Sequence, residues 1–227
     1  MKKKGAKTSI EKALDLIEAL KNADDLGVTE LSKILNLNKN NVFRLLATLE
    51  VKGLVEQDEE TGHYKLGMRF LYLEDAYIKS LHFLNTAKPF MRKLRNQIGE
   101  TVYVSVLHKN DVVYVYSEES NKSVHVHSKI SQRYPAEITA SGRALIKAES
   151  EDIFPVEVDI EETEPEVVEV ATVIRDELNH PIAALSIVAP ISRIDKARIE
   201  SEIRQPLLNA AKNISEKLKE KSETYVL

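Results

Sequence analysis

The chain has 227 residues, of which 43% are hydrophobic and 30% charged, so it can bury a core and belongs to neither the disordered nor the fibrous classes. This length favours two domains of about 100 residues each. The absence of cysteine excludes disulfides, thiolate metal sites and cysteine nucleophiles. No apolar run approaches the roughly 18 residues of a membrane span and no signal-peptide core is present, so we expect a soluble, cytoplasmic protein without membrane contact.

The net charge of −4 is the sum of two unlike parts. Residues 1–70 carry 12 Lys and Arg against 11 Asp and Glu, whereas residues 71–227 carry 20 against 25. The overall charge therefore does not exclude an anionic partner for the first part.

Three short helices are predicted in the first 53 residues. Thr8 and Glu11 form a capping-box pattern before an amphipathic helix over residues 9–21. Thr29 is placed to cap a second helix, and a third runs over residues 39–52. The apolar stripe of the third helix consists of Val42, Leu45, Leu46 and Leu49.

Two short strands follow, over residues 54–57 and 63–66, around a polar turn that contains Gly62. Three helices and a two-stranded ribbon are the element order of a winged helix-turn-helix. In that arrangement the third helix enters the major groove of duplex DNA while the second braces it across the backbone. The first part of the chain is therefore predicted to bind double-stranded DNA.

The residues that would contact DNA follow from the apolar stripe, which turns the opposite side of the third helix outward. Asn pairs with adenine and Arg with guanine or phosphate, and a lysine at a helix start adds charge where free N–H groups already favour phosphate. A basic arm of Lys2, Lys3, Lys4 and Lys7 would add sequence-independent attraction. The predicted DNA-contacting residues are Lys39, Asn40, Asn41, Phe43, Arg44 and Thr48 on the helix, with His63 and Lys65 on the wing.

Other interpretations of this segment remain open. The wing tip carries Glu56, Asp58, Glu59 and Glu60, which repel phosphate, so it reads equally as a solvent-exposed turn. A polar outer helix face is also typical of a merely solvated surface. The segment could instead belong to a sensory protein whose winged helix contacts other proteins.

The second part of the chain has a mixed α/β pattern after a connecting helix over residues 68–82. Alternating apolar and polar residues predict three strands, at 101–107, 112–117 and 124–127, and later a hairpin of two more. A closing helix is interrupted near Pro206. The remaining predicted elements are a helix ending at Gly99, a helix at 140–148 and hairpin strands at 167–174 and 182–189.

No catalytic set stands out, and no enzyme activity, cofactor or metal site is predicted. His125 and His127 lie on one face of a predicted strand, but no third ligand can be placed beside them. The stretch 149–169 has 10 acidic residues and no Lys or Arg, which favours a solvated, self-repelling loop. Ser105, Ser141 and Ser186 lack the context of a nucleophilic serine.

A small-anion site is the stronger candidate. The run 139–142, Thr-Ala-Ser-Gly, opens a helix, where free N–H groups and the helix dipole suit a carboxylate. Simple capping of the helix by Thr139 or Ser141 explains the same pattern.

Several motifs together resemble the IclR family of transcription regulators. They are TSIEKAL at 8–14, LSKILNL at 31–37, VFRLLATL at 42–49, GLVE at 53–56 and GHYKLG at 62–67, then GETV at 99–102, YP at 134–135, TASGRAL at 139–145, PIAALSI at 181–187 and AP at 189–190. The resemblance covers nearly the whole chain.

The resemblance implies an α+β protein with an N-terminal winged helix-turn-helix over residues 1–67, a linker helix over 68–82 and a shortened GAF-like α/β effector domain over 83–227. Similar proteins bind promoter operators as homodimers or tetramers. They often act as repressors and some activate, and we expect a repressor here.

In similar proteins the start of the helix at residue 140 and the last strand line the pocket of a small organic-acid effector. Residue by residue, this nominates Ala140, Ser141, Gly142 and Ser186. The chain departs from the family at Val188, where many relatives have a polar residue, and at Glu169, where a small residue or Cys is usual. Relatives also place a longer, commonly helical segment between residues 148 and 159 that helps to cover the pocket. Without it, three alternatives stay open here: a site open to solvent, a site for a larger ligand, or a vestigial site.

Overall fold

The computed structural model describes residues 7–124 and 126–224, and the chain divides into two compact units, Met1–Ser80 and Leu81–Leu227. Each unit has its own core, and each is described separately. Among the described residues, no helix combines the length and the apolar character needed to cross a bilayer. The domain limits 67/68 and 82/83 stay predictions.

The first unit is a three-helix core with a small β-ribbon. Leu26 extends the ribbon, because its N–H and carbonyl both bond to the backbone of Tyr64 at 2.9 Å. Its elements are α1 (Ser9–Lys21), α2 (Val28–Leu35), α3 (Lys39–Val51), β1 (Val55–Gln57), β2 (Tyr64–Leu66) and α4 (Arg69–Ser80). Its buried core consists of Leu16, Leu20, Leu31, Val42, Leu46, Leu49, Val55 and Tyr64.

The helix starts agree with the sequence at α1 and differ at α2. The predicted capping box of α1 is present: the Glu11 N–H donates to Thr8 Oγ1 at 3.2 Å and the Thr8 N–H to Glu11 Oε2 at 2.6 Å. The prediction that Thr29 caps α2 is wrong, since Gly27 is the N-cap and its N–H donates to Glu30 Oε2 at 2.8 Å. Thr29 therefore lies in the first turn of α2.

The second unit contains a six-stranded antiparallel sheet in the order β5-β4-β3-β8-β7-β6. Its strands are β3 (Thr101–His108), β4 (Asp111–Glu118), β5 (Arg133–Pro135), β6 (Glu157–Ile160), β7 (Val167–Arg175) and β8 (Pro181–Pro190). Its helices are α5 (His82–Ile98), α6 (Ala140–Ser150), α7 (Lys196–Arg198) and α8 (Arg204–Thr224).

Consecutive residues in the middle of β7 and β8 are buried, which indicates that both faces of this sheet are covered by helices. On one face, α6 packs Ala144 and Leu145 against Val173 and Ala184. The paired helices α5 and α8 contact the sheet and cover the opposite face. Residues on the α6 face therefore lie in a buried layer between helix and sheet.

The predicted strand at 124–127 is wrong. Val124 is exposed, residues 126 and 127 have no strand geometry, and residue 125 lies outside the described residues. The reason is that the free edge of β4 pairs with Arg133–Pro135 instead, which leaves this segment without a neighbouring strand.

The prediction of a solvated loop over residues 149–169 is also wrong. Within it, β6 pairs with β7, and Asp159 is almost completely buried, accepting the N–H of Glu162 at 2.8 Å. Cations from α6 offset the acidic charge: Arg143 lies 3.0 Å from Glu162 and Lys147 lies 3.4 Å from Glu157.

The closing helix begins with an irregular turn, as its proline suggested. A π-helical turn over Ile199–Ile203 separates α7 from α8, and Pro206 stands in the first turn of α8. A proline ring clashes with the carbonyl of the preceding turn in a regular α-helix. The wider π-helical turn lies directly before Pro206, where it makes room for the ring.

Candidate functional site

The outward face of α3 is polar and accessible. Asn38 caps the helix by accepting the Asn41 N–H at 2.8 Å, and the burial of Val42 and Leu46 fixes the rotation of the helix. The six residues predicted on this helix for DNA contact are all exposed: Lys39, Asn40, Asn41, Phe43, Arg44 and Thr48.

A groove of about 220 Å³ runs between α1 and this face of α3. Its walls include Asn41, Arg44 and Thr48 from α3, and Ser9 and Lys12 from α1. Sequence reasoning missed the last two, although the capping box already marked where α1 begins. Thr48 is partly engaged, since its hydroxyl donates to the Arg44 carbonyl at 2.9 Å.

The cations of this surface are available to an external anion. In the part of the chain that the structure describes, the side chains of Lys12, Lys39 and Arg44 form no ion pair. Lys7, predicted as part of a basic arm, is instead paired with Asp15 at 2.6 Å, and the predicted lysines at 2, 3 and 4 lie outside the described residues.

On the wing, Lys65 is exposed, whereas His63 is half-buried and held within the unit. His63 Nδ1 lies 2.7 Å from Asp25 Oδ1, and this hydrogen bond raises the pKa of His63. His63 thus carries its positive charge to higher pH than a free histidine, next to a carboxylate that partly neutralises it.

Two of the four acidic residues of the wing have structural roles. Asp58 Oδ1 accepts the N–H groups of Glu60 at 3.0 Å and Thr61 at 2.8 Å, and hydrogen bonds from Thr61 lower the pKa of Asp58. Glu56 Oε1 accepts the Met68 N–H at 3.0 Å. These two carboxylates shape the turn and its exit, whereas Glu59 and Glu60 are exposed at the tip.

In the second unit, the start of α6 is buried against the sheet. Thr139 caps it and takes the Gly142 N–H at 3.0 Å, so that N–H is not free for a ligand. Gly142 itself is required by packing, because a Cβ there would lie 2.1 Å from the Ala136 carbonyl oxygen. Ala140 is fully buried.

A carboxylate of the protein occupies the space beside this helix start. Glu169 of β7 is fully buried, and its Oε1 accepts hydrogen bonds from the Ser141 hydroxyl at 2.7 Å and the Tyr114 hydroxyl at 2.9 Å. Burial, with a further contribution from the Glu169 charge, raises the pKa of Tyr114 well above its ordinary value, so this tyrosine stays a donor. Glu169 Oε2 is buried without a hydrogen bond from any described residue.

An ammonium lies in the same layer. Lys129 is 1% exposed, with its Nζ 5.4 Å from the ring centroid of Tyr114 and 5.0 Å from that of Tyr134. Glu164 is 3.9 Å from this Nζ and accepts the Tyr134 hydroxyl. Burial, followed by this bond to Glu164, raises the pKa of Tyr134.

Ser186 of β8 belongs to the same face of the sheet. It pairs in register with Tyr103 and Ala171, and Ala171 stands two residues from Glu169 on β7, so the side chains share one side. Ser186 Oγ and Ser105 Oγ are buried without a hydrogen-bond partner among the described residues. The structure thus places Ser186 and the start of α6 in one buried layer. The same layer contains a cluster that the sequence did not indicate: Glu169, Lys129 and their tyrosine neighbours.

The two units carry the features of a two-domain regulator: a winged helix with an open polar recognition helix, and an α/β unit with a buried polar cluster. A model of the IclR helix-turn-helix domain matches residues 9–59, and a model of the C-terminal domain of bacterial IclR transcriptional regulators matches residues 75–154 and 156–216. The chain belongs to the IclR family of bacterial transcriptional regulators.

Individual relatives agree with this assignment. The chain is 30% identical over 139 residues to the HTH-type transcriptional regulator XynR of Escherichia coli. This alignment covers 61% of this chain and 55% of XynR, so the chain spans about half the length of that relative. It is 26% identical over 246 residues to the HTH-type transcriptional repressor AllR of Klebsiella pneumoniae, spanning 93% of this chain and 90% of AllR.

The fold is also that of solved family members. An IclR homologue from Microbacterium hydrocarbonoxydans, crystallised as a complex with 4-hydroxybenzoate, superposes with a TM-score of 0.74 at 19% identity, covering 93% of this chain and 99% of the homologue. The expected architecture of a winged helix-turn-helix followed by an α/β domain is therefore confirmed.

Proposed function

We propose that this protein is a DNA-binding transcription regulator that represses by occupying promoter operators and responds to a small-molecule effector. The observation that carries the proposal is the exposed face of α3, with Asn40, Asn41 and Arg44 pointing away from a core that fixes the helix. Membership of a regulator family and the repressor AllR among its relatives support it.

Each residue has a role in this proposal. Asn40, Asn41 and Arg44 read base edges, because amide and guanidinium groups match adenine and guanine bidentately. Lys39 and Thr48 position α3 on phosphates, and Phe43 adds apolar contact at the base edges. Lys65 reaches the backbone from the wing, where His63 supports the ribbon through Asp25. From α1, Lys12 adds a phosphate contact beside Arg44.

The protein binds DNA as a homodimer or a dimer of dimers. Its α4 has no buried residue and exposes Leu71, Tyr72 and Tyr77, large apolar side chains that a second copy could cover. Pairing of these surfaces in two copies would present two recognition helices to half-sites about one helical turn apart.

The effector acts by favouring one spacing of the recognition helices over another, since a ligand shifts only an equilibrium between states that it binds unequally. The buried layer under α6, with Ser141 and Ser186, is its binding site. A related structure that carries 4-hydroxybenzoate supports a small molecule as the effector.

The test is selection of genomic fragments by the purified full-length protein, followed by titration of a recovered site at several salt concentrations. We expect a palindromic sequence and an affinity that falls steeply with salt, with a slope of about −0.9 per neutralised phosphate in logarithmic units. Recovery of no consensus site, or an affinity insensitive to salt, would overturn DNA binding and favour a winged helix that contacts proteins.

A further inference from the structure

We infer that the layer under α6 takes an organic cation as its effector through Glu169, and that it rejects the organic acids expected from the family. This inference rests on the proposed function, in which this layer binds the effector. Three observations carry it: the anion position at the helix start is filled, one oxygen of Glu169 lacks a donor among the described residues, and the neighbouring tyrosine rings already accommodate an ammonium group.

The first observation concerns the start of α6, which suits a carboxylate. Glu169 supplies that carboxylate from within the chain, taking the hydroxyls of Ser141 and Tyr114 at 2.7 and 2.9 Å. The Gly142 N–H is used by Thr139. An external carboxylate would have to displace Glu169 or lie against it, and like charges in a buried layer repel strongly.

The second observation is the unsatisfied acceptor. Glu169 is fully buried, and its Oε2 receives no hydrogen bond from the described part of the chain. A buried carboxylate oxygen without a donor is costly, so a ligand that donates to it gains binding energy that no carboxylate can obtain. Ser186 and Ser105, also without partners among those residues, lie on the same face of the sheet and can accept further donors.

The third observation is the ammonium group already present in this layer. Lys129 is buried, and its Nζ lies over the rings of Tyr114 and Tyr134. Tyr114 is also a hydrogen-bond donor to Glu169, so the aromatic side chains beside this carboxylate accommodate a cation.

The test compares size-matched probes on the full-length protein by calorimetry and by thermal unfolding: benzylamine against benzoate and butylamine against butyrate. We expect the amines to bind the wild type more tightly than the matched acids. Glu169→Gln keeps an oxygen for Ser141 and Tyr114 but removes the charge, and it should weaken amine binding about tenfold or more. Glu118→Gln is the control, since Glu118 is a buried carboxylate of the same unit that already accepts hydrogen bonds from Tyr116 and Arg92, and it should leave amine binding unchanged.

Chemical rescue provides an independent measurement. Glu169→Ala leaves a space of carboxylate size beside two hydroxyl donors, so acetate should raise the unfolding temperature of this variant in a dose-dependent way and leave the wild type unchanged. Acids that bind the wild type at least as tightly as the matched amines would overturn the inference. So would an amine affinity that is equal in wild type and Glu169→Gln, or the absence of binding by both series.

Operator binding of the ligand-free wild type separates this inference from the proposed function. The wild type should bind the selected operator whichever ligand the layer under α6 takes. Absence of operator binding would refute the regulator proposal, whereas intact operator binding with no preference for amines would refute only the choice of ligand.

Discussion

The guanidinium of Arg175 donates to the carbonyl oxygen of Ile153 at 2.7 Å, and this contact organises the shortened connection after α6. Arg175 is buried and also donates to the carbonyls of Ala148, Glu151 and Asn179. A single cation on β7 thus satisfies four carbonyls: one in α6, two in the connection that follows it and one in the turn between β7 and β8. It thereby ties these three segments together.

Replacing Arg175 by Met should therefore destabilise the second unit strongly. Methionine fills similar volume but leaves the buried carbonyls without donors, and we expect a loss of about 3 kcal/mol in the free energy of unfolding. Urea unfolding followed by circular dichroism measures it. Arg204→Met, which removes an exposed arginine paired only with Glu200, is the control, and equal losses in both variants would contradict this account.

Arg44→Ala should weaken operator binding by about 1–3 kcal/mol if the guanidinium makes a bidentate base contact. Fluorescence anisotropy on the selected operator measures the change, and sequence discrimination at one base pair should relax with it. Arg133→Ala removes an exposed arginine from β5 in the second unit and should leave the affinity unchanged. An Arg44→Ala variant with wild-type affinity would remove this residue from the reading of bases.

The stability of the first unit should fall as the pH rises through neutrality. The hydrogen bond to Asp25 raises the pKa of His63, so the protonated pair stabilises the fold fully below the unfolded pKa of about 6.5 and loses this contribution as pH passes the folded value. Titration of the His63 ring by NMR should give a pKa above that of an exposed histidine. In Asp25→Asn the shift should disappear, and its persistence would show that another group causes it.

For the second unit, we expect Glu100 to give stability the opposite pH dependence. Its buried carboxylate meets Arg193 at 2.7 Å, Lys122 at 2.6 Å and Arg198 at 3.5 Å. Burial alone would raise the pKa of Glu100, but the hydrogen bonds from Arg193 and Lys122 outweigh it and lower the pKa. The stabilisation is therefore present above the unfolded pKa of about 4.3 and is lost as pH falls through the folded value.

The variant Glu100→Gln tests this dependence. It should lose about 2 kcal/mol of unfolding free energy at pH 7, because it removes the charge-assisted hydrogen bonds from the partly exposed Arg193 and Lys122, and its difference from wild type should narrow below about pH 4. Denaturant unfolding between pH 7 and pH 3 measures both effects. Glu200→Gln, on an exposed pair, should change little, and a difference for Glu100→Gln that stays constant with pH would contradict the assigned charge state.

Local patterns accounted for most elements and for the exposed face of α3. The apolar spacing of Val42 and Leu46 gives α3 its rotation, and rotation alone determines that Arg44 is exposed. The capping box at Thr8 likewise acts over three residues. The prediction that Thr29 caps α2 was wrong for an equally local reason. The Glu30 carboxylate accepts the Gly27 N–H, and this contact places the start of α2 two residues earlier.

By itself, the sequence determined the winged helix and its exposed face, because these follow from interactions within a helix turn or a hairpin. The fate of Glu169 was decided only by the tertiary structure: it lies 28 residues from Ser141 and 55 from Tyr114 along the chain, and no pattern connects them. Pairing of β6 with β7, the placement of Lys129 between tyrosine rings and the four-carbonyl contact of Arg175 were decided in the same way. Burial of a charge depends on which distant segments meet around it, and that is settled by packing of the whole unit.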